Sequence, residues 1–134
     1  MTVVLCIDNN GGMMFNHRRQ SQDRLLRERI ISHLKGNLLW MNSYGADQFS
    51  DFSDNIAVSE SFLQETASDA CCFVEDQNLT PYLNNINRII LYKWNRSYPA
   101  DFKFTISLSD WTLLSSIEFA GSSHEKITEE IYVR

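Results

Sequence analysis

Hydrophobic positions fall into short blocks separated by polar loops. Thr2 to Ile7 is apolar and β-branched and stops at Asp8-Asn9-Asn10-Gly11-Gly12. That is the pattern of a buried strand followed by a loop, where Asn and Gly adopt positive φ at little cost. From Ser21 the period lengthens: Leu26, Ile30 and Leu34 recur at four-residue spacing, with Ile31 beside them, which predicts an amphipathic helix. Ser21 is its expected N-cap and Lys35-Gly36 its stop. Asp23 falls in the first turn on the buried face, where it favours the helix N-terminus and has Arg27 one turn on as an ion-pair partner.

Leu38 to Met41, Ile56 to Val58, Cys71 to Val74 and Arg88 to Trp94 read as further strands. Glu60 to Thr66 reads as a short helix. Thr80-Pro81 reads as the N-cap and first residue of another, since Pro there forfeits no bond. Trp111 to Phe119 and Ile127 to Val133, separated by Gly121-Ser122-Ser123, predict an antiparallel pair. Strands alternate with helices early and pair with each other late. The expected architecture is therefore α/β, a central mixed, mostly parallel sheet flanked by helices with a C-terminal antiparallel strand pair.

Composition narrows the function classes. At 134 residues, 43% hydrophobic and 22% charged, the chain has the size and balance of a single domain spanning 1–134. No apolar run approaches the roughly 18–20 residues that cross a bilayer, so no membrane partner is expected. The N-terminus lacks the pattern of a secretory signal, which makes the cytoplasm the expected location. The net charge of −5 argues against a nucleic-acid partner. One basic cluster stands apart: His17, Arg18 and Arg19 with Arg24, Arg27 and Arg29. Adjacent Cys71 and Cys72 rarely reach disulfide geometry, Cys6 reads as a small buried hydrophobe, and scattered histidines give no zinc motif. Trp40, Trp94 and Trp111 read as core or sheet-face residues. Ser123-His124-Glu125 holds the residue types of a catalytic triad, but triads are assembled in space rather than from neighbours, so it reads as a polar loop. Oligomeric state is left open.

Several segments, in order, resemble dihydrofolate reductases. Val3 to Gly11 is similar to that family's first strand and loop, and Arg88-Ile89-Ile90-Leu91-Tyr92 to a later central strand. Ala100-Asp101-Phe102-Lys103-Phe104 resembles its Gly-Asp-Thr-x-Phe segment. Leu108-Ser109-Asp110-Trp111-Thr112-Leu113 resembles its Ser-Glu-Trp-Glu-Leu segment, and Ile131 to Arg134 its chain end. The resemblance implies a dihydrofolate reductase-like fold and aligns Asp23 with the acid that accepts hydrogen bonds from the pterin. It departs at the cofactor loops. Asn42-Ser43-Tyr44-Gly45 stands for the family's Gly-Arg-x-Thr, and Glu75-Asp76 for a Gly-Gly pair whose N–H groups approach pyrophosphate. The expectation is a small pterin- or nucleotide-like ligand, with anionic ones favoured, held by Asp23, Arg18, Arg19, Arg27 and Tyr92. No cofactor is expected, since standard NADPH binding is lost. Alternatives are an NADPH-dependent reductase with a non-standard cofactor site and a non-catalytic protein-interaction module. A second resemblance, over Phe15 to Asp23, is to small bacterial proteins with Phe-Asn-x-Arg-Arg-Gln-Ser-x-Asp. The ribonuclease Z activity sometimes attached to them requires an H-x-H-x-D-H metal motif that this chain lacks, and is rejected.

Overall fold

The structure is a computed structural model describing residues 1–134. Its main sheet contains β1 (Thr2–Ile7), β4 (Leu39–Met41), β5 (Ile56–Val58), β6 (Cys71–Phe73), β7 (Arg88–Lys93), β9 (Thr112–Phe119) and β10 (Ile127–Val133), in the order β5-β4-β6-β1-β7-β10-β9. The pairs from β5 to β7 are parallel, and β10 runs antiparallel to both β7 and β9. This is the mixed sheet the sequence predicts. A strand buried on both faces loses the apolar–polar alternation. Accordingly Val3, Val4 and Leu5 in β1 and Ile89, Ile90 and Leu91 in β7 are all buried.

Their side chains enter two cores. Val3, Leu5, Ile89 and Leu91 meet Phe62, Leu79 and Ile86 on one face. Val4, Ile90 and Phe73 meet Leu26, Ile30 and Leu34 on the other. Leu26 and Ile30 belong to α1 (Arg24–Ser32). The expected N-cap is corrected here. Asp23, extended at φ −154°, caps α1 with its carboxylate on the Leu26 N–H, whereas the Ser21 hydroxyl meets His124. The expected Asp23–Arg27 pair does not form, because Arg27 Nη1 donates to Gln22. Thr80 likewise is no cap: it begins the 3-10 helix Thr80–Asn85, and its N–H donates to Asn78 Oδ1 at 3.1 Å. The helix expected over Glu60–Thr66 contracts to Phe62–Glu65.

The polar stretch after β1 hides a second sheet. β2 (Gly12–Phe15) pairs with β3 (Arg18–Arg19) and β8 (Phe102–Lys103). Asn16 and His17 turn the β2–β3 hairpin at φ 52° and 62°, the two positive values of a type I′ turn. Asp8, buried after β1, accepts from the Asn10, Gly12 and Tyr98 N–H groups and from Gln20 Nε2. Gly12 permits this closure, since a Cβ there would lie 2.5 Å from Gln20 Nε2. The hairpin therefore delivers Arg19, Gln20 and Ser21 to the N-terminus of α1.

Candidate functional site

A narrow cleft opens where β1, β6 and β7 end, the end of an open α/β sheet at which ligands bind. Cys6, Phe73 and Trp94 line it from the strand ends, Leu26, Arg27 and Ile30 from α1, and Met13, Arg19, Gln20 and Ser21 from the hairpin; Gln48 and Glu75 complete its wall. The wall is apolar with convergent polar groups, the composition of a small-molecule site.

Of the predicted ligand residues, Arg19 and Arg27 reach this cleft. Arg19 donates to both Glu75 oxygens, at 2.8 and 3.2 Å, and to the Tyr44 carbonyl, while its guanidinium lies 4.2 Å from the Tyr44 ring centre. Burial pushes the Glu75 carboxyl above the usual range, and the Arg19 guanidinium works against that shift. Gln48 adds a third bond to Glu75. Arg27 is less committed. Its Nε is buried without a partner, and Gln20 Oε1 is in the same condition. Arg18 lies outside the cleft on the exposed hairpin, in a shallow groove with Phe15, Tyr98 and Pro99.

Asp23 and Tyr92 lie outside this cleft. Asp23 does not line the cleft. Its Oδ1 accepts from the Leu26 and Ser122 N–H groups at 3.1 and 3.0 Å; its Oδ2 accepts from the Ser123 N–H at 2.9 Å and from His124 Nδ1 at 3.0 Å. Burial alone would raise its pKa, but these donors outweigh burial and hold the carboxyl far below the ordinary range. Gly121 makes this possible, because a Cβ there would stand 2.4 Å from Asp23 Oδ2. Tyr92 sits fully buried behind α1 and donates to Glu129, which also accepts two bonds from Arg29 and contacts His33 Nε2. That cluster pins the C-terminal half of α1 to β10.

His124 lies in the loop the sequence predicts, yet it is buried, stacked 4.6 Å from the Trp94 ring. Ser21 Oγ lies 3.0 Å from its Nε2, with the Tyr98 hydroxyl at 3.3 Å. No sequence signal joins Ser21, Asp23 and His124, since about a hundred residues separate the first pair from the last. Cys6 lies in the cleft, but burial pushes its thiol far above the ordinary range, which leaves it unreactive.

No family model matches the chain, and no curated protein matches it. Among solved structures, dihydrofolate reductase from Enterococcus faecalis, complexed with NADP(H) and RAB-propyl, superposes with a TM-score of 0.70. The match has 10% identity and covers 99% of this chain and 95% of that one. Sheet order, the cleft at the strand ends and this superposition together establish that the chain has the dihydrofolate reductase fold.

Proposed function

We propose that this protein is a small-ligand-binding domain that uses the cleft between α1 and the hairpin and does not use NADPH. The observation that carries the reading is the pair of buried, unpartnered polar atoms, Arg27 Nε and Gln20 Oε1, on residues lining one cleft. An unsatisfied buried polar group costs about 1–3 kcal/mol, so a ligand that supplies an acceptor to Arg27 and a donor to Gln20 recovers that cost. The amide-like edge of a pterin or nucleobase offers both groups, and an anionic substituent would gain further from Arg27. Arg18, at the exposed rim, is the candidate second cation; Arg19 contributes wall and shape, since Glu75 occupies its guanidinium.

A dinucleotide does not fit the residues at the family's phosphate loops. The N–H of Ser43, first residue of α2 (Ser43–Ala46), donates to Glu60, as does its hydroxyl. Asn42 accepts from the Gly45 N–H and donates to Asp76. The Ser43 and Gly45 N–H groups of the first loop are thus held by protein acceptors, and the Glu75 and Asp76 side chains replace the glycines of the second. Each carboxylate about 4 Å from a phosphate opposes it by about 1–4 kcal/mol.

The test is a melting-temperature panel of pterins, nucleotides and anionic metabolites, with NADPH titrated separately by calorimetry. A stabilising compound whose effect disappears in Arg27→Ala is the expected result. Low-micromolar NADPH binding would promote the reductase reading instead. A stabilising compound indifferent to Arg27→Ala would move the site out of this cleft.

A further inference from the structure

Serine nucleophiles are recognised by geometry: a hydroxyl within reach of an imidazole nitrogen, whose other nitrogen is held by a buried carboxylate. Ser21, His124 and Asp23 meet that description. Asp23 is ionised and can only accept, so the hydrogen of His124 lies on Nδ1, 3.0 Å from Oδ2. That leaves Nε2 as an acceptor, and Ser21 Oγ is its nearer hydroxyl neighbour, at 3.0 Å. Trp94 stacks on the imidazole and the Ser122 and Ser123 N–H groups hold the carboxylate, so the ring orientation is fixed from both sides. Ser21 also lines the ligand cleft, and Arg27 Nε, a buried donor with no protein partner, lines the same cleft.

We propose that Ser21, His124 and Asp23 form an acyl-transfer site that hydrolyses a small carboxylic ester bound in the cleft. The inference rests on the cleft being the ligand site, and it adds that the ligand carries a scissile acyl group. Ser21 Oγ attacks the ester carbonyl and gives its proton to His124 Nε2. The developing oxyanion faces Arg27, the charge-assisted donor of the cleft. Collapse breaks the carbon–oxygen bond, and the leaving alkoxide takes the proton from His124. Water then attacks the acyl-Ser21 ester, with His124 accepting a proton from the water and returning it to Ser21. The products are the acid and the alcohol, and water is the only co-reactant. Asp23 touches no substrate and acts as a positioning residue through His124. The Cys6 thiol, also in the cleft, cannot take this part, because burial keeps it protonated.

The experiment is labelling of the native protein with a fluorophosphonate, followed by tandem mass spectrometry of its peptides. The serine hydroxyl displaces fluoride, so an adduct marks an activated serine. A single adduct on Ser21 of the wild-type chain is expected, absent after heat denaturation and absent in Ser21→Ala. Labelling of His124→Gln should be at least about 100-fold slower, the usual contribution of a general base. The exposed Ser50→Ala should label like the wild type. Mapping the adduct in the wild type keeps the test valid even if a variant fails to fold. No adduct, an adduct elsewhere, or one that survives denaturation overturns the acyl-transfer site. In that event a panel compound that still requires Arg27 leaves the ligand reading standing. Conversely, an adduct on Ser21 with no stabilising compound upholds the triad and overturns the pterin- or nucleotide-like ligand.

Discussion

Asp23→Asn separates a buried carboxylate clamp from an ordinary helix cap. Asn caps helices as well as Asp does, and loss of the charge near the helix N-terminus costs about 0.3–1 kcal/mol. If capping were the whole role, the variant would lose no more than that. The structure requires more. An asparagine placed with its oxygen on the Leu26 and Ser122 N–H groups turns its NH₂ toward the Ser123 N–H and His124 Nδ1, at the positions now 2.9 and 3.0 Å from Oδ2. Both partners donate, so the buried His124 N–H and the part-buried Ser123 N–H lose their acceptor, at about 1–3 kcal/mol for each group kept from water. The expected loss is about 3 kcal/mol, and at about 3–5 °C per kcal/mol for a domain of this size the melting temperature should fall by about 10 °C. Urea titration should show a lower midpoint with an unchanged slope. The wild-type contribution also depends on pH with a fixed sign. Because the folded carboxyl is held below its unfolded value of about 3.9, its stabilisation is complete above that value and is lost as pH falls through the folded one. Asp23→Asn should lack that acid dependence. A loss below about 1 kcal/mol, or an acid limb identical to the wild type's, would refute the clamp.

Glu129→Gln should cost about 2 kcal/mol in urea titration, below the 3–5 kcal/mol of a fully buried pair because Arg29 and His33 are partly exposed and can hydrate. Burial would raise the Glu129 carboxyl, but Arg29, Tyr92 and His33 together hold it down at about 2, so its stabilisation is present above its ordinary value and disappears as pH falls toward 2. Gly121→Ala should destabilise by about 1–3 kcal/mol through overpacking against the Asp23 carboxylate. Its effect should be strongly non-additive with Asp23→Asn, as a double-mutant cycle would measure.

Periodicity carried most of the fold. The runs in β1, β7 and β10 and the four-residue repeat of α1 are long enough, and buried on defined faces, to declare themselves. The second sheet was not legible, because β2, β3 and β8 are two to four residues long and β3 consists of two arginines. The start of α1 was misplaced by a competition between two good caps. Ser21 has the right chemistry, but Asp23 takes the N-terminus once the Gly121–His124 loop supplies donors from across the chain. The basic cluster was visible and its division was not. Arg19 is consumed by Glu75, Arg29 by Glu129, and Arg27 keeps a buried nitrogen without a partner.

Where the carboxylate sits also separates the chemical readings. The cleft face of α1 presents Leu26, Arg27 and Ile30, an apolar wall interrupted by a cation. Proton donation to a bound ring needs an acid in the cleft, and the carboxylate that lines it, Glu75, is bonded to Arg19 and Gln48. Asp23 is not among the residues lining the cleft and bonds His124. The polar residues lining the cleft include Ser21, Arg27 and Gln20, the last two each with a buried atom that has no protein partner. Under the proposed reading, such a set favours stabilising negative charge that develops on a ligand oxygen. Under the proposed acyl-transfer reading, an acyl group would meet the hydroxyl and the cation together.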